Sequence, residues 1–139
     1  MRTLLSLVMA LSVTVAQADE APVGAHLDIE LNAATQTDTG CQLSFLIING
    51  HDQDIAKAVY ETVLFDTAGA VAQMTLFDMG ELPAARPRVR QFVLPNTSCD
   101  ALGKLLFNGA QICEAESLSA SACTAGLTLR SRTALEVIG

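Results

Sequence analysis

Cys41-Gln42-Leu43-Ser44-Phe45-Leu46-Ile47-Ile48-Asn49 is the stretch that decides the fold. Alternation with period two puts Cys41, Leu43, Phe45 and Ile47 on one face of a strand. The opposite face turns apolar at Leu46 and Ile48, the composition of a central strand covered on both sides. The same reading extends outward. In residues 26–32, Leu27, Ile29 and Leu31 face one way, and His26, Asp28 and Glu30 the other. Residues 59–66 and 70–77 predict a hairpin around Thr67-Ala68-Gly69. Residues 89–94 form a further strand, closed by Pro95-Asn96. Residues 104–113 read either as one strand or as a tight hairpin turning at Asn108-Gly109. Residues 127–138 predict a long final strand, with a break indicated near Ser131. A helical turn competes over residues 52–60, where Ile55 and Val59 are in register, and is read as a short connector. About seven strands without a long helix predict an all-β, immunoglobulin-like antiparallel β-sandwich.

The beginning of the chain has a different character. Arg2 precedes an apolar run over residues 4–15. Ala16-Gln17-Ala18 then forms a small-x-small site, followed by Asp19 and Glu20. These three regions predict a signal peptide over residues 1–18, cleaved after Ala18. The run falls short of the roughly 20 apolar residues a membrane span needs. No membrane insertion is therefore expected after cleavage. With a single arginine and no Arg-Arg pair, the Sec route and a periplasmic location are expected. Residues 19–139, a length of 121, predict one domain. Losing Arg2 moves the formal net charge from -7 to -8. That acid excess argues against nucleic acid or an anionic membrane as a partner.

Four cysteines, Cys41, Cys99, Cys113 and Cys123, follow the signal. Their even number in an exported chain predicts a disulfide framework, for which spacing alone leaves three pairings. The sandwich topology narrows them. The loops before the second and sixth strands lie at one end, which pairs Cys41 with Cys99. Cys113 ends the sixth strand and Cys123 precedes the last, which pairs these two. Cys-x-x-Cys is absent, and the cysteines lie far from His26 and His51 in sequence. Neither redox catalysis nor a zinc site is indicated.

Five of the seven basic residues left after cleavage cluster in two places, Arg86, Arg88 and Arg90, then Arg130 and Arg132. Spacing by two puts each set on one strand face. If the segments are neighbours, they form a stripe able to dock an acidic partner. The plainer reading is a solvated strand face whose charges deter edge pairing. His51, Asp52 and Asp54, beside Asn49, are the candidate metal ligands. Calcium would need a further glutamate at the required distance, which is missing. Copper would recruit His51 with Met74 and Met79, but neither His-x-Met nor Met-x-Met occurs, and Met74 reads as core. No cofactor is indicated. Gly-x-Ser-x-Gly, His-Glu-x-x-His and a phosphate-binding glycine loop are absent, so no enzyme is expected. The six aromatics, Phe45, Tyr60, Phe65, Phe77, Phe92 and Phe107, all fall in predicted strands and read as core.

Tyr60-Glu61-Thr62-Val63-Leu64-Phe65-Asp66, Leu76-Phe77-Asp78 and Arg86-Pro87-Arg88-Val89-Arg90-Gln91-Phe92, with Cys99, Cys113, Cys123 and Ser131-Arg132-Thr133, resemble a family of small exported bacterial proteins with four cysteines. The resemblance covers most of the chain beyond residue 18. It brings no established activity, so it implies no catalytic or ligand residue. The function expected is an accessory or interaction module for another periplasmic or membrane protein, with the arginines as its contact surface. The alternative is a small-ligand or metal-binding module, for copper or calcium, at His51, Asp52 and Asp54.

Overall fold

The computed structural model describes residues 23–139, so the expected signal peptide lies outside the described residues. Eight strands form: β1 (Leu27–Gln36), β2 (Gly40–Asn49), β3 (Ile55–Asp66), β4 (Val71–Leu82), β5 (Arg88–Pro95), β6 (Leu102–Glu114), β7 (Thr128–Ser131) and β8 (Glu136–Ile138). They make two four-stranded sheets, ordered β5-β2-β1-β7 and β4-β3-β6-β8. The expected sandwich is present. β1, β2 and β5 share one sheet and β3 and β6 the other, as in an immunoglobulin-like sandwich, while β4 pairs with β3 instead of joining the first sheet.

The alternation in β2 works as its sequence indicates. Cys41, Leu43, Phe45 and Ile47 are fully buried, and β2 lies between β1 and β5. Leu27, Ile29 and Leu31 of β1 add to the same core, which Tyr60, Leu64, Phe77, Met79 and Leu105 close from the other sheet. Each such side chain contributes about 1.5–3 kcal/mol when fully buried. Aromatic contacts tie the layers together. Phe45 lies 5.6 Å from Phe77 and Phe77 stacks on Phe92 at 4.4 Å across the layers, while Tyr60 meets Phe107 edge-on at 5.2 Å within the second sheet.

The β3–β4 turn shows its local cause. Asp66 Oδ1 accepts from the amides of Ala68 and Ala70, both at 2.9 Å, and Gly69 takes a left-handed φ of 86°. Gly40 serves a close approach instead. A Cβ there would sit 1.9 Å from the Leu94 carbonyl oxygen, so only glycine lets β2 begin against β5.

The structure corrects the expected helical turn and the wholly antiparallel pairing, decides the open alternative in β6, and bears out the break near Ser131. Residues 55–60 belong to β3, and no helical turn forms there. β6 runs through Asn108-Gly109 as one strand, with Asn108 bulged out of register and its amide donating to Glu61 at 2.6 Å. The final segment is two short strands in opposite sheets, because Ser131 and Thr133 divert the backbone. The Ser131 hydroxyl accepts from the Thr133 amide at 3.1 Å, and the Thr133 hydroxyl from the Leu135 amide at 3.0 Å. The chain thus crosses one end of the sandwich. β7 pairs with β1 and β8 with β6, both in parallel, so the sheets are mixed rather than wholly antiparallel.

Candidate functional site

The disulfides stand as the topology predicted. Cys41 pairs with Cys99 and Cys113 with Cys123. Cys99 opens a short 3-10 turn before β6, and Cys123 ends another before β7. The two bridges lie at opposite ends of the sandwich, and no described cysteine is left as a thiol.

The arginines do not form one stripe. β5 and β7 are opposite edges of the first sheet, separated by two strands, or roughly 14 Å at normal strand spacing. They also face opposite ways. Arg88 and Arg90 are in register with Ile47 and Phe45, so they share the core-facing side. Arg130 is in register with Glu30, on the outer side.

Arg90 occupies that inward position because β5 is an edge strand lying over the rim of the other sheet. Its guanidinium donates to the carbonyl oxygens of Met79 at 2.7 Å and Glu81 at 2.9 Å, both on β4. It therefore closes the side of the sandwich, and neither a solvated face nor a free docking cation describes it. Arg88 donates to the adjacent Pro87 carbonyl. Arg86 lies in the turn before β5, its amide bonded to the Pro83 carbonyl. Arg130 bridges Asp28 at 2.7 Å and Glu30 at 3.2 Å, and Asn32 donates to Glu30 at 2.9 Å. These groups line a shallow groove with Leu46, Ile48 and the exposed Arg132.

The loop of residues 50–54 is organised for structure. Asn49 is 1% exposed. Its amide donates to the Leu82 carbonyl at 2.8 Å and the Gln53 carbonyl at 2.9 Å, and its oxygen accepts from the His51 amide at 3.0 Å. His51 Nε2 donates to the Ala122 carbonyl at 2.9 Å, leaving only Nδ1 with a lone pair. Asp54 accepts from the Ala84 amide at 2.8 Å. Among the described residues, no three His, Cys, Asp or Glu side chains group to hold a metal ion. His51, Asp52 and Asp54 are not brought together as a ligand set. The copper pattern divides as well. Met79 is in the core, whereas Met74, expected there, is 58% exposed.

Sequence reasoning missed the roles of Asn49 and Tyr60. Tyr60 is fully buried, and its hydroxyl donates to the Cys123 carbonyl at 2.6 Å. Burial pushes its ionisation well above the ordinary tyrosine range. The signals were present, since a polar residue closing a central strand and a tyrosine amid phenylalanines both need partners once buried. Which carbonyls they meet depends on loops distant in sequence.

The two outer faces differ. On the first sheet, Asp28, Glu30 and Arg130 stand beside Ser44, which accepts from Gln91 at 2.9 Å. On the second, Met74, Val63, Leu106 and Ile138 form one cross-strand row over all four strands. Phe65 joins that side, so it alone of the aromatics departs from the core. Val89 and Val93 point outward from β5 at 60% and 45% exposure.

These features define a two-disulfide β-sandwich with immunoglobulin-like strand order, closed along one side by an arginine. Comparison with family models, with curated proteins and with solved structures found no match.

Proposed function

We propose that this chain is an exported, non-catalytic interaction module that supports another periplasmic or membrane protein. The carrying observation is where its apolar surface lies. Two of the six exposed large apolar side chains among the described residues, Val89 and Val93, point outward from β5, an edge strand of the first sheet. Exposed apolar side chains grouped beside arginines are a composition favoured in contact surfaces. The contact surface in this reading is the β5 edge, with Val89 and Val93 flanked by Arg86 and Arg88. Arg130 belongs to a carboxylate cluster on the other edge and is not part of it.

Export through a signal at residues 1–18 is part of the proposal. The two disulfides support it, because such bridges persist in oxidising compartments. Among the described residues no helix is long and apolar enough to cross a membrane.

The test is affinity recovery from native periplasm with mass spectrometry, comparing the wild type with Arg88→Glu/Val89→Glu. A protein recovered by the wild type and lost with the variant supports the β5 edge. Equal recovery by both removes that surface, and recovery of nothing removes the reading.

A further inference from the structure

We propose that the outer face of the β4-β3-β6-β8 sheet is a self-association surface, covered by a second copy of this chain. This is a different face from the β5 edge and does not depend on it. The core of the face is the row Met74, Val63, Leu106 and Ile138, each in register with the next across its strand pair. Val63 points away from the core yet is only 7% exposed, because its cross-strand neighbours cover it. Met74, Leu76, Val71 and Ile138 remain 37–60% exposed. A contiguous outward patch of this kind marks a contact surface.

The charges bordering the row argue for a second copy as the occupant. One flank carries Lys104, 3.7 Å from Glu136. The other carries Glu61, positioned by Asn108, with Lys57 and Asp78 at 3.8 Å beyond it. Both lysines of the chain border this face, although the chain carries a net charge of -7. The two lysines against Glu61, Asp78 and Glu136 leave this face at a net -1, so two copies meet here with less repulsion than the chain's overall charge would impose. The pattern is also self-complementary. A two-fold axis laid along the row sets each copy's row on the other's and exchanges the flanks. Lys104 of one copy then lies beside Glu61 of the other, twice over, as an isologous interface requires. Met74 of each copy meets its own equivalent near the axis.

Sedimentation of the processed, disulfide-intact protein over a concentration series tests this. The wild type is expected to form a dimer. Met74→Glu stacks two carboxylates at the axis and should weaken it at least about tenfold. Lys104→Glu and Glu61→Lys should each weaken it several-fold, and the double exchange should restore it to within about threefold of wild type. Val89→Glu should leave it unchanged. A wild type that stays monomeric overturns the proposal, as does a dimer indifferent to Met74→Glu or one not restored by the double exchange. Partner recovery through the β5 edge is read separately, so either idea can fail without the other.

Discussion

The two ends of the sandwich are both closed by a disulfide, yet they are held by different means. At one end Cys41–Cys99 links positions 58 residues apart. The supporting hydrogen bonds there come mostly from exposed groups, such as Gln36 accepting from the Cys99 amide at 2.8 Å. At the other end Cys113–Cys123 spans 10 residues. There the loops are tied by Asn49, Tyr60 and His51, whose bonds are buried or partly buried. A hydrogen bond open to water contributes little net stability, whereas a buried polar group deprived of its partner is costly. The first end therefore depends on its covalent link, and the second shares the task among side chains.

The sharpest way to break this contrast is to remove the long-range bridge. Replacing Cys41 and Cys99 with alanine should cost about 4 kcal/mol, read as a lower urea midpoint by far-ultraviolet circular dichroism. Asn49→Ala should come next, at about 3 kcal/mol, because it strands the Leu82 and Gln53 carbonyls and the His51 amide. Replacing Cys113 and Cys123 with alanine should cost about 2 kcal/mol, less than the roughly 3 kcal/mol expected from loop closure alone. His51 and Tyr60 still hold the 3-10 turn at Ala120–Cys123 in that variant. If the two bridge deletions prove equally damaging, the contrast between the ends fails.

Tyr60→Phe should have the smallest effect, about 1 kcal/mol, from the loss of one buried hydrogen bond. Alkali probes the same group more finely. Burial raises the folded ionisation of Tyr60 above the ordinary value of about 10. The contribution is therefore complete below that pH. As pH rises past it, the unfolded chain ionises while the folded chain does not, so stability falls. Tyr60 is the sole tyrosine and tryptophan is absent. Its ultraviolet absorbance should therefore show ionisation only together with unfolding, and Tyr60→Phe should flatten the stability loss between pH 10 and the onset of global alkaline unfolding.

Much of the fold was legible from local pattern. The alternation of β2, the turn at Asp66 to Gly69 and the order of strands around the cysteines were enough to place both disulfides. The break near Ser131 was legible, but not that it sends the chain to the opposite sheet, because Leu127, Leu129, Val137 and Ile138 read the same whether they join one sheet or two. The arginines show a related limit. Spacing by two correctly put Arg88 and Arg90 on one face, but could not say that the face was the inner one. That depended on β5 being an edge strand, with β4 carbonyls within reach of a long side chain. The His51 loop has an acidic, metal-like composition, but its bonds to Ala122 and Ala84 come from segments more than 29 residues away.

By itself the sequence determined the class of fold, most residues of the core, though not Met74 or Phe65, and the pairing of the cysteines. Those properties follow from period-two burial and turn chemistry, which act over a few residues. Only the tertiary structure decided that the basic residues stand on opposite edges and faces, that Asn49 and Tyr60 knit one end together, and that an apolar row runs across the second sheet. Each of these depends on register between strands distant in the chain. Burial pattern selects which side of a strand faces inward, but the neighbour across the sheet is chosen by packing of the whole.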